Sequence, residues 1–403
     1  MRVEAQQADM RLTDPGQAPA TVAEQSLKAA TIHIAKLSLS DFRSYRNLQM
    51  QTEGLPVVLS GSNGAGKTNL LEALSCFSPG RGLRRARLSE MKRHDATAAW
   101  AVSARLRGLG DDHQIGVGFD SGESSGGERR QVRIDGENAS SGELRELLGV
   151  QWLTPRMDRL FVEGKGERRR FLDRLVFGSD PGHGKRVNTY EGVMRERNQL
   201  LRDKRRDDAW VGALEARMAE DAVAIAAARL ATLDRLNAAL AQGIGPFPSA
   251  ALAIEGVVED MLEKMPAVDA EGHFAEALRL GRFKDEAAGR ALDGPHRSDL
   301  LVTYAATGLP AAQCSTGEQK ALLIAIVLAN ARLEKVEQGQ APILLMDEVT
   351  AHLDENRRRA LFDEICALSG QTWLTGTDRA LFAGLDGRAH FYKVQDSALY
   401  LEE

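Results

Sequence analysis

Lys67 and Thr68 end a run of residue types suited to holding a polyphosphate. In "GSNGAGKTN", residues 61–69, Gly61, Gly66, Lys67 and Thr68 follow the spacing G-x-x-x-x-G-K-[ST]. Glycines there let the backbone curl until its N–H groups and the start of the next helix face phosphate oxygens. Gly61, Ser62, Asn63, Gly64, Ala65, Gly66 and Asn69 then form the cradle. Lys67 reaches the β- and γ-phosphates, and the Thr68 hydroxyl sits on Mg²⁺. A cradle of this kind needs a strand before it and a helix after it. The runs "LPVVLS" and "LLEALSCF" supply both.

A second set lies almost three hundred residues on. In "APILLMDEVTAHLDENRRR", residues 341–359, an apolar run ends at Asp347 and Glu348. It reads as a buried parallel strand that delivers two carboxylates at its C-terminal end, where nucleotide sites of parallel sheets lie. Asp347 is placed to hold Mg²⁺ through water, and Glu348 to polarise an attacking water as general base. Between the two sets, "CSTGEQKALLIAIVLAN" starts at Cys314. Ser315 can cap the helix that follows, and Gly317 lets backbone approach something closely.

The elements that must position these residues are legible in outline. Residues 32–38 and 47–60 read as strands leading into the cradle, and the helix after it should stop near "SPGRG". "AAWAVSARL", "HQIGVGFD" and "RQVRIDGEN" alternate as antiparallel hairpins, with 121–127 a flexible tip. From 187 to 241 the spacing is helical and rich in Ala and Leu. The expected fold is α/β: an ATPase head of mixed or parallel sheet with helices and an antiparallel β region, an inserted helical lobe, and no long coiled coil. Residues 1–30 read as a disordered extension, 31–180 as the first lobe, 181–290 as the helical lobe, and 291–403 as the remainder of the head.

Composition narrows the class. The chain has 403 residues, 43% of them hydrophobic, and a net charge of −5. Its longest apolar run, "ALLIAIVLANA" at 321–331, falls short of the roughly 18 residues that span a bilayer, so no membrane partner and a cytoplasmic location are expected. The first thirty residues carry acids and no apolar core, unlike a secretory leader. Cys76, Cys314 and Cys366 lack metal-ligand spacing and read as reduced thiols. Basic residues cluster at 81–93 and at 195–206, as solvated helix faces or as contacts to DNA.

Placed about thirty residues before Asp347, the S-x-G-E-Q stretch resembles the signature motif of the ABC-type ATPases. That resemblance implies ATP sealed between the cradle of one copy and the signature of another, hence an ATP-dependent homodimer with Ser315, Gly317 and Glu318 acting in trans. "HLDENRRR" resembles the D-loop, with Leu353 and Asp354 in place, and "QTWLTGTDR" at 371–379 the following strand and switch. Transporter ATPases carry a switch histidine there; this chain has Thr375, Gly376, Thr377 and Asp378.

Three further stretches resemble the RecF family within the DNA-maintenance branch related to SMC and Rad50. They are "LSLSDFRSYRNLQM" at 37–50, "GERRRFLDRLV" at 166–176 and "GPHRSDL" at 294–300. The resemblance implies a slow, DNA-stimulated ATPase binding the duplex side of gapped or single-strand/double-strand junction DNA. It also implies RecR and RecO as partners and RecA indirectly. By the same resemblance Arg43 comes near the nucleotide. Arg168, Arg169 and Arg170 are phosphate contacts or a charged helix face, and His296 and Arg297 brace the head. The family's P-E-D-like segment reads "TPRMDRL" here, and no clear Q-loop glutamine stands out, Gln151 being a weak candidate. The alternative, an SMC-like or Rad50-like structural tether, would need a long heptad run, and none is present.

Overall fold

The computed structural model describes residues 32–97, 99–108, 112–120, 129–203 and 207–402. The N-terminal extension and the tip at 121–127 expected from sequence lie outside the described residues.

In chain order the elements are β1 (His33–Phe42), β2 (Tyr45–Gln51), β3 (Val57–Ser60), α1 (Lys67–Ser75), β4 (Ala101–Arg107), β5 (His113–Asp120), β6 (Arg129–Ile134), β7 (Glu137–Asn138), α2 (Ser141–Leu147) and β8 (Val150–Leu153). Then follow α3 (Lys165–Val176), α4 (His183–Arg202), α5 (Asp208–Ala241), β9 (Ala250–Glu255), α6 (Val257–Leu262), α7 (Ala267–Ala288), β10 (Asp299–Tyr304) and β11 (Leu309–Pro310). The chain closes with α8 (Thr316–Gln338), β12 (Ile343–Met346), α9 (Glu355–Leu368), β13 (Thr372–Gly376), β14 (His390–Gln395) and β15 (Ala398–Glu402).

The central sheet runs β15-β14-β3-β13-β12-β8 and is parallel except for the β14–β15 pair. Strands β3, β12 and β13 are buried at every position because both faces are covered. In β12, Ile343 and Leu345 face one core while Leu344 and Met346 face the other, the two-residue period of a strand buried on both sides. The first of these cores joins Leu70, Leu71 and Leu74 of α1 to Leu37 and Leu39 of β1, in an antiparallel sheet ordered β2-β1-β4-β5-β6-β7. The second takes Leu322, Ile326 and Ala329 of α8 with Leu361 and Ile365 of α9.

Helices α4 to α7 build a third core around Tyr190, Met218, Ala222, Ile225, Phe274 and Leu278. Within the expected helical range, β9 departs from the reading: "AALAIE" pairs antiparallel with β10 from Asp299↔Glu255 to Tyr304↔Ala250. Its buried and exposed residues alternate, a pattern that the flanking alanine-rich helical spacing hides in the sequence. The longest helix, α5, has 34 residues. Met218 and Ile225 bury it in the helical lobe and Leu233, Leu236 and Leu240 in the head, so no coiled coil projects among the described residues.

Candidate nucleotide site

Parallel pairing brings the two halves of the site together. Met346 of β12 lies beside Leu374 of β13, and Leu374 beside Val58 of β3, so the cradle after β3 and the carboxylates after β12 emerge at one edge of the sheet. Two glycines are required by close approach. A Cβ on Gly61 would stand 2.3 Å from the Val394 carbonyl oxygen, and one on Gly66 (φ +111°) 2.9 Å from the Tyr45 hydroxyl. The Tyr45 hydroxyl donates to the Gly66 carbonyl at 3.1 Å, which ties β2 to the start of α1.

Lys67 is 5% exposed and folds back over the loop, donating to the carbonyls of Gly61 at 2.7 Å and Ser62 at 2.9 Å. Burial pushes its pKa below the usual lysine value, and the Glu348 and Asp347 carboxylates pull the other way. Thr68 Oγ1 donates to both carboxylate oxygens of Asp347, at 3.0 and 3.2 Å. Thr375 Oγ1 donates to Asp347 Oδ1 at 2.7 Å and accepts from the Glu348 N–H at 2.9 Å. Glu348 itself has left-handed backbone, φ +49°, rare for a residue with a side chain. Its carbonyl faces the Lys320 ammonium at 3.4 Å, and the same ammonium reaches Asp158 at 3.4 Å.

One cleft is lined by Asn63, Gly64, Gly66, Lys67, Thr68, Asn69, Arg84 and Glu348. Gly61 and Ala65 shape the loop from behind, with the Ala65 carbonyl accepting from the Ser397 N–H at 3.2 Å. Thr68 and Asp347 suit Mg²⁺, a hard cation that typically takes one or two protein oxygens and completes its shell with water and substrate phosphate. Among the described residues no group of three or more His, Cys, Asp or Glu forms a metal cage.

Several residues singled out by sequence lie elsewhere. Arg43, expected near the nucleotide, does not line the cleft: its guanidinium grips the fully buried Glu72 of α1 at 2.6 and 2.8 Å and donates to the Glu90 carbonyl at 2.5 Å. Arg84 takes the cleft wall instead, bonded to Asn69 at 2.8 Å and Glu72 at 3.0 Å. The only sequence signal for it was the basic run at 81–93. Gln151 is buried in β8 and bonds Glu334 at 2.5 Å, outside the residues that line the cleft. Arg168 is clamped by Asp299 at 2.8 and 2.9 Å and Arg169 by the Ser298 carbonyl at 2.8 Å, while Arg170 pairs with Glu167. Arg168 and Arg169 brace α3 within the head, while the Arg170 pair stays within the helix. His296 bonds Tyr190 at 3.0 Å and the Ala291 carbonyl at 3.2 Å.

Ser315 caps α8 and shares a capping box with Glu318, whose carboxylate accepts from the Ser315 N–H at 2.8 Å. Asp354 caps α9 through the Arg357 N–H at 2.9 Å. Ser315 and Asp354 are exposed, Gly317 and Glu318 partly so, and none of the four lines the cleft of its own cradle.

A family model described as the RecF/RecN/SMC N-terminal domain matches residues 33–398. The chain is 52% identical to the DNA replication and repair protein RecF of Mesorhizobium japonicum over 91% of this chain and 97% of that protein. It is 48% identical to RecF of Rhizobium rhizogenes over 90% and 97%. A solved structure described as the recombination mediator protein RecF with ATP superposes with a TM-score of 0.79 at 21% identity, covering 92% of this chain and 99% of that one.

Proposed function

This chain belongs to the RecF family of DNA replication and repair proteins, and from that premise we propose that ATP in the 61–69 cradle closes two copies over DNA and that hydrolysis opens them. One observation carries the reading. Each chain assembles Lys67, Thr68, Asp347 and Glu348 at a single cleft, yet leaves its Ser315 helix start accessible and outside that cleft. A second copy can supply what the first lacks, as the paired heads of ABC-type ATPases do.

Roles follow from position. Lys67 leaves the Gly61 and Ser62 carbonyls for the β- and γ-phosphates, and the backbone N–H groups of residues 63–68 orient the chain of phosphates. Thr68 and Asp347 would hold Mg²⁺, which would supply neutralising charge there. Glu348 takes a proton from the attacking water as its oxygen bonds the γ-phosphorus and the β–γ bridging oxygen departs with ADP. Ser315, Gly317 and Glu318 of the second copy present the N-terminus of α8 to the γ-phosphate. Asp354 would stand at the same interface. Turnover is slow because chemistry waits for the dimer, and DNA speeds it by holding two copies together.

The DNA is the duplex side of a gap or of a single-strand/double-strand junction. RecR and RecO join the clamp there and RecA is loaded beside it, all in the cytoplasm. No helix among the described residues is long and apolar enough to cross a membrane.

Sedimentation of the Glu348→Gln protein tests this, with and without ATP and gapped duplex. ATP should convert monomer to dimer and the dimer should retain DNA. A protein that binds ATP and stays monomeric on DNA would overturn the composite site.

A further inference from the structure

Two basic stretches distant in sequence meet on one surface. Arg85 grips Glu167 of α3 with both terminal nitrogens, at 3.0 and 2.8 Å. Arg156 approaches the same carboxylate at 3.8 Å with its side chain 70% exposed, and Arg170 binds it too. Under them lies a cavity walled by Arg85, Trp152, Arg156, Glu167 and Arg174. The Arg174 guanidinium lies 4.6 Å from the centre of the Trp152 ring and 5.4 Å from that of Phe171. Its hydrogen bonds go to the Trp152 carbonyl at 3.3 Å and the Met157 sulfur at 3.5 Å, neither of which carries a charge. Burial, with Arg85 nearby, pushes its pKa down to about 9, as befits a cation short of an anion.

The cavity is coupled to the nucleotide site by geometry. Arg84 lines the nucleotide cleft and Arg85, the next residue, lines this cavity. Arg85 holds left-handed backbone, φ +56°, so one turn sends two guanidinium groups to two sites. Thr154, also on the cavity wall, follows Leu153, whose carbonyl accepts from the Asp347 N–H at 2.9 Å. The cavity therefore opens at the same edge of the central sheet, one strand outward from the catalytic carboxylates.

We propose that this cavity seats a phosphodiester of duplex DNA, bound by Arg156 and Arg174 and by Arg85 released from Glu167, and that the Arg84–Arg85 turn carries its occupancy to the nucleotide cleft. The inference rests on the DNA-binding reading above. An extended polyanion fits better than a single acidic side chain because further exposed cations, Arg81, Arg87, Arg159 and Lys165, are strung along both segments around the cavity. Planar guanidinium forks suit phosphate geometry, and a Glu167 held by several arginines can yield one of them.

The test compares an Arg85→Ala/Arg156→Ala protein with an Arg195→Ala/Arg202→Ala protein, both carrying Glu348→Gln, by titrating gapped duplex at several salt concentrations with ATP. Losing two phosphate contacts should lower the slope of log affinity against log salt by about 2 and weaken binding about tenfold or more at low salt. ATP affinity should stay within about twofold, and the 195/202 protein should keep the parental slope. An unchanged slope in the 85/156 protein would overturn the inference and leave the DNA clamp standing. Loss of ATP-driven dimerisation without DNA would instead assign the cavity to a carboxylate of the second copy. A parental protein that binds no DNA with ATP would bring down the clamp reading itself.

Discussion

The Lys320 ammonium lies 3.4 Å from the backbone carbonyl oxygen of Glu348, one helical turn beyond the Ser315 cap of α8. Glu348 is thus held at both ends of its left-handed residue, at N–H by Thr375 and at C=O by Lys320. The helix that would meet a second copy's γ-phosphate also steadies Glu348 of its own chain, the proposed general base. Lys320→Met should leave ATP affinity within about threefold and slow turnover about 10- to 100-fold, as displacing a catalytic group by an ångström does. Lys320→Arg should recover part of the rate. Equal losses of binding and turnover in single-turnover assays would show that Lys320 only stabilises the fold.

Thr375 joins Asp347 to Glu348 from a fully buried position at the end of β13. Thr375→Val keeps the shape and removes the hydroxyl, which leaves the Glu348 N–H unpaired at a cost of about 1 to 3 kcal/mol. Asp347 also loses one of the two hydroxyl donors that orient it. ATP affinity should fall several-fold with Mg²⁺ and little in chelator. Calorimetric titration in both buffers reads the difference, and an equal drop in both would exclude a role at the metal.

Which of these residues the sequence disclosed depends on how local their encoding is. Gly61, Gly66, Lys67 and Thr68 are legible because one short run of consecutive residues makes the cradle, and Asp347 because an apolar run points to it. Thr375 is marked in the sequence only as part of the switch stretch and Lys320 only as the residue after the signature, because their contacts depend on strand register and helix placement set by residues far away in the chain. Arg43 lies off the cleft wall because a motif fixes where a residue starts and not which carboxylate its guanidinium finds. Glu72, buried in α1, captures it and leaves Arg84 to the cleft. Gln151 is held off the cleft in the same way, since Glu334, itself paired with Arg145, gives its amide a buried partner.

Glu72 is wholly buried and answers two arginines, Arg43 at 2.6 Å and Arg84 at 3.0 Å. Glu72→Gln should leave two guanidinium groups facing each other without a charge between them. The expected destabilisation is about 2 to 4 kcal/mol, below the full cost of breaking a buried pair because both arginines keep some solvent. Urea unfolding measures it. A change under about 0.5 kcal/mol would mean that water replaces the carboxylate. ATP affinity should also fall, because Arg84 is then free to leave the cleft wall.

His296 provides a pH signature for the junction of head and helical lobe. Burial, opposed by its bond to the Ala291 carbonyl, pushes its pKa down to about 4, so the folded protein holds it neutral. In that state Nε2–H donates to Ala291 and Nδ1 accepts from the Tyr190 hydroxyl. The unfolded chain binds a proton near pH 6.5 and the folded chain only near pH 4. Between those values the unfolded state carries more protons, so this residue's contribution to stability declines as pH falls through that window. At pH 5 the loss from this group should be about 1 to 2 kcal/mol relative to pH 7.5. The amide of His296→Gln can offer the same donor and acceptor without titrating, so the variant should lose less on acidification. Urea midpoints at both pH values give the comparison, and parallel declines in the two proteins would show that other groups govern acid stability.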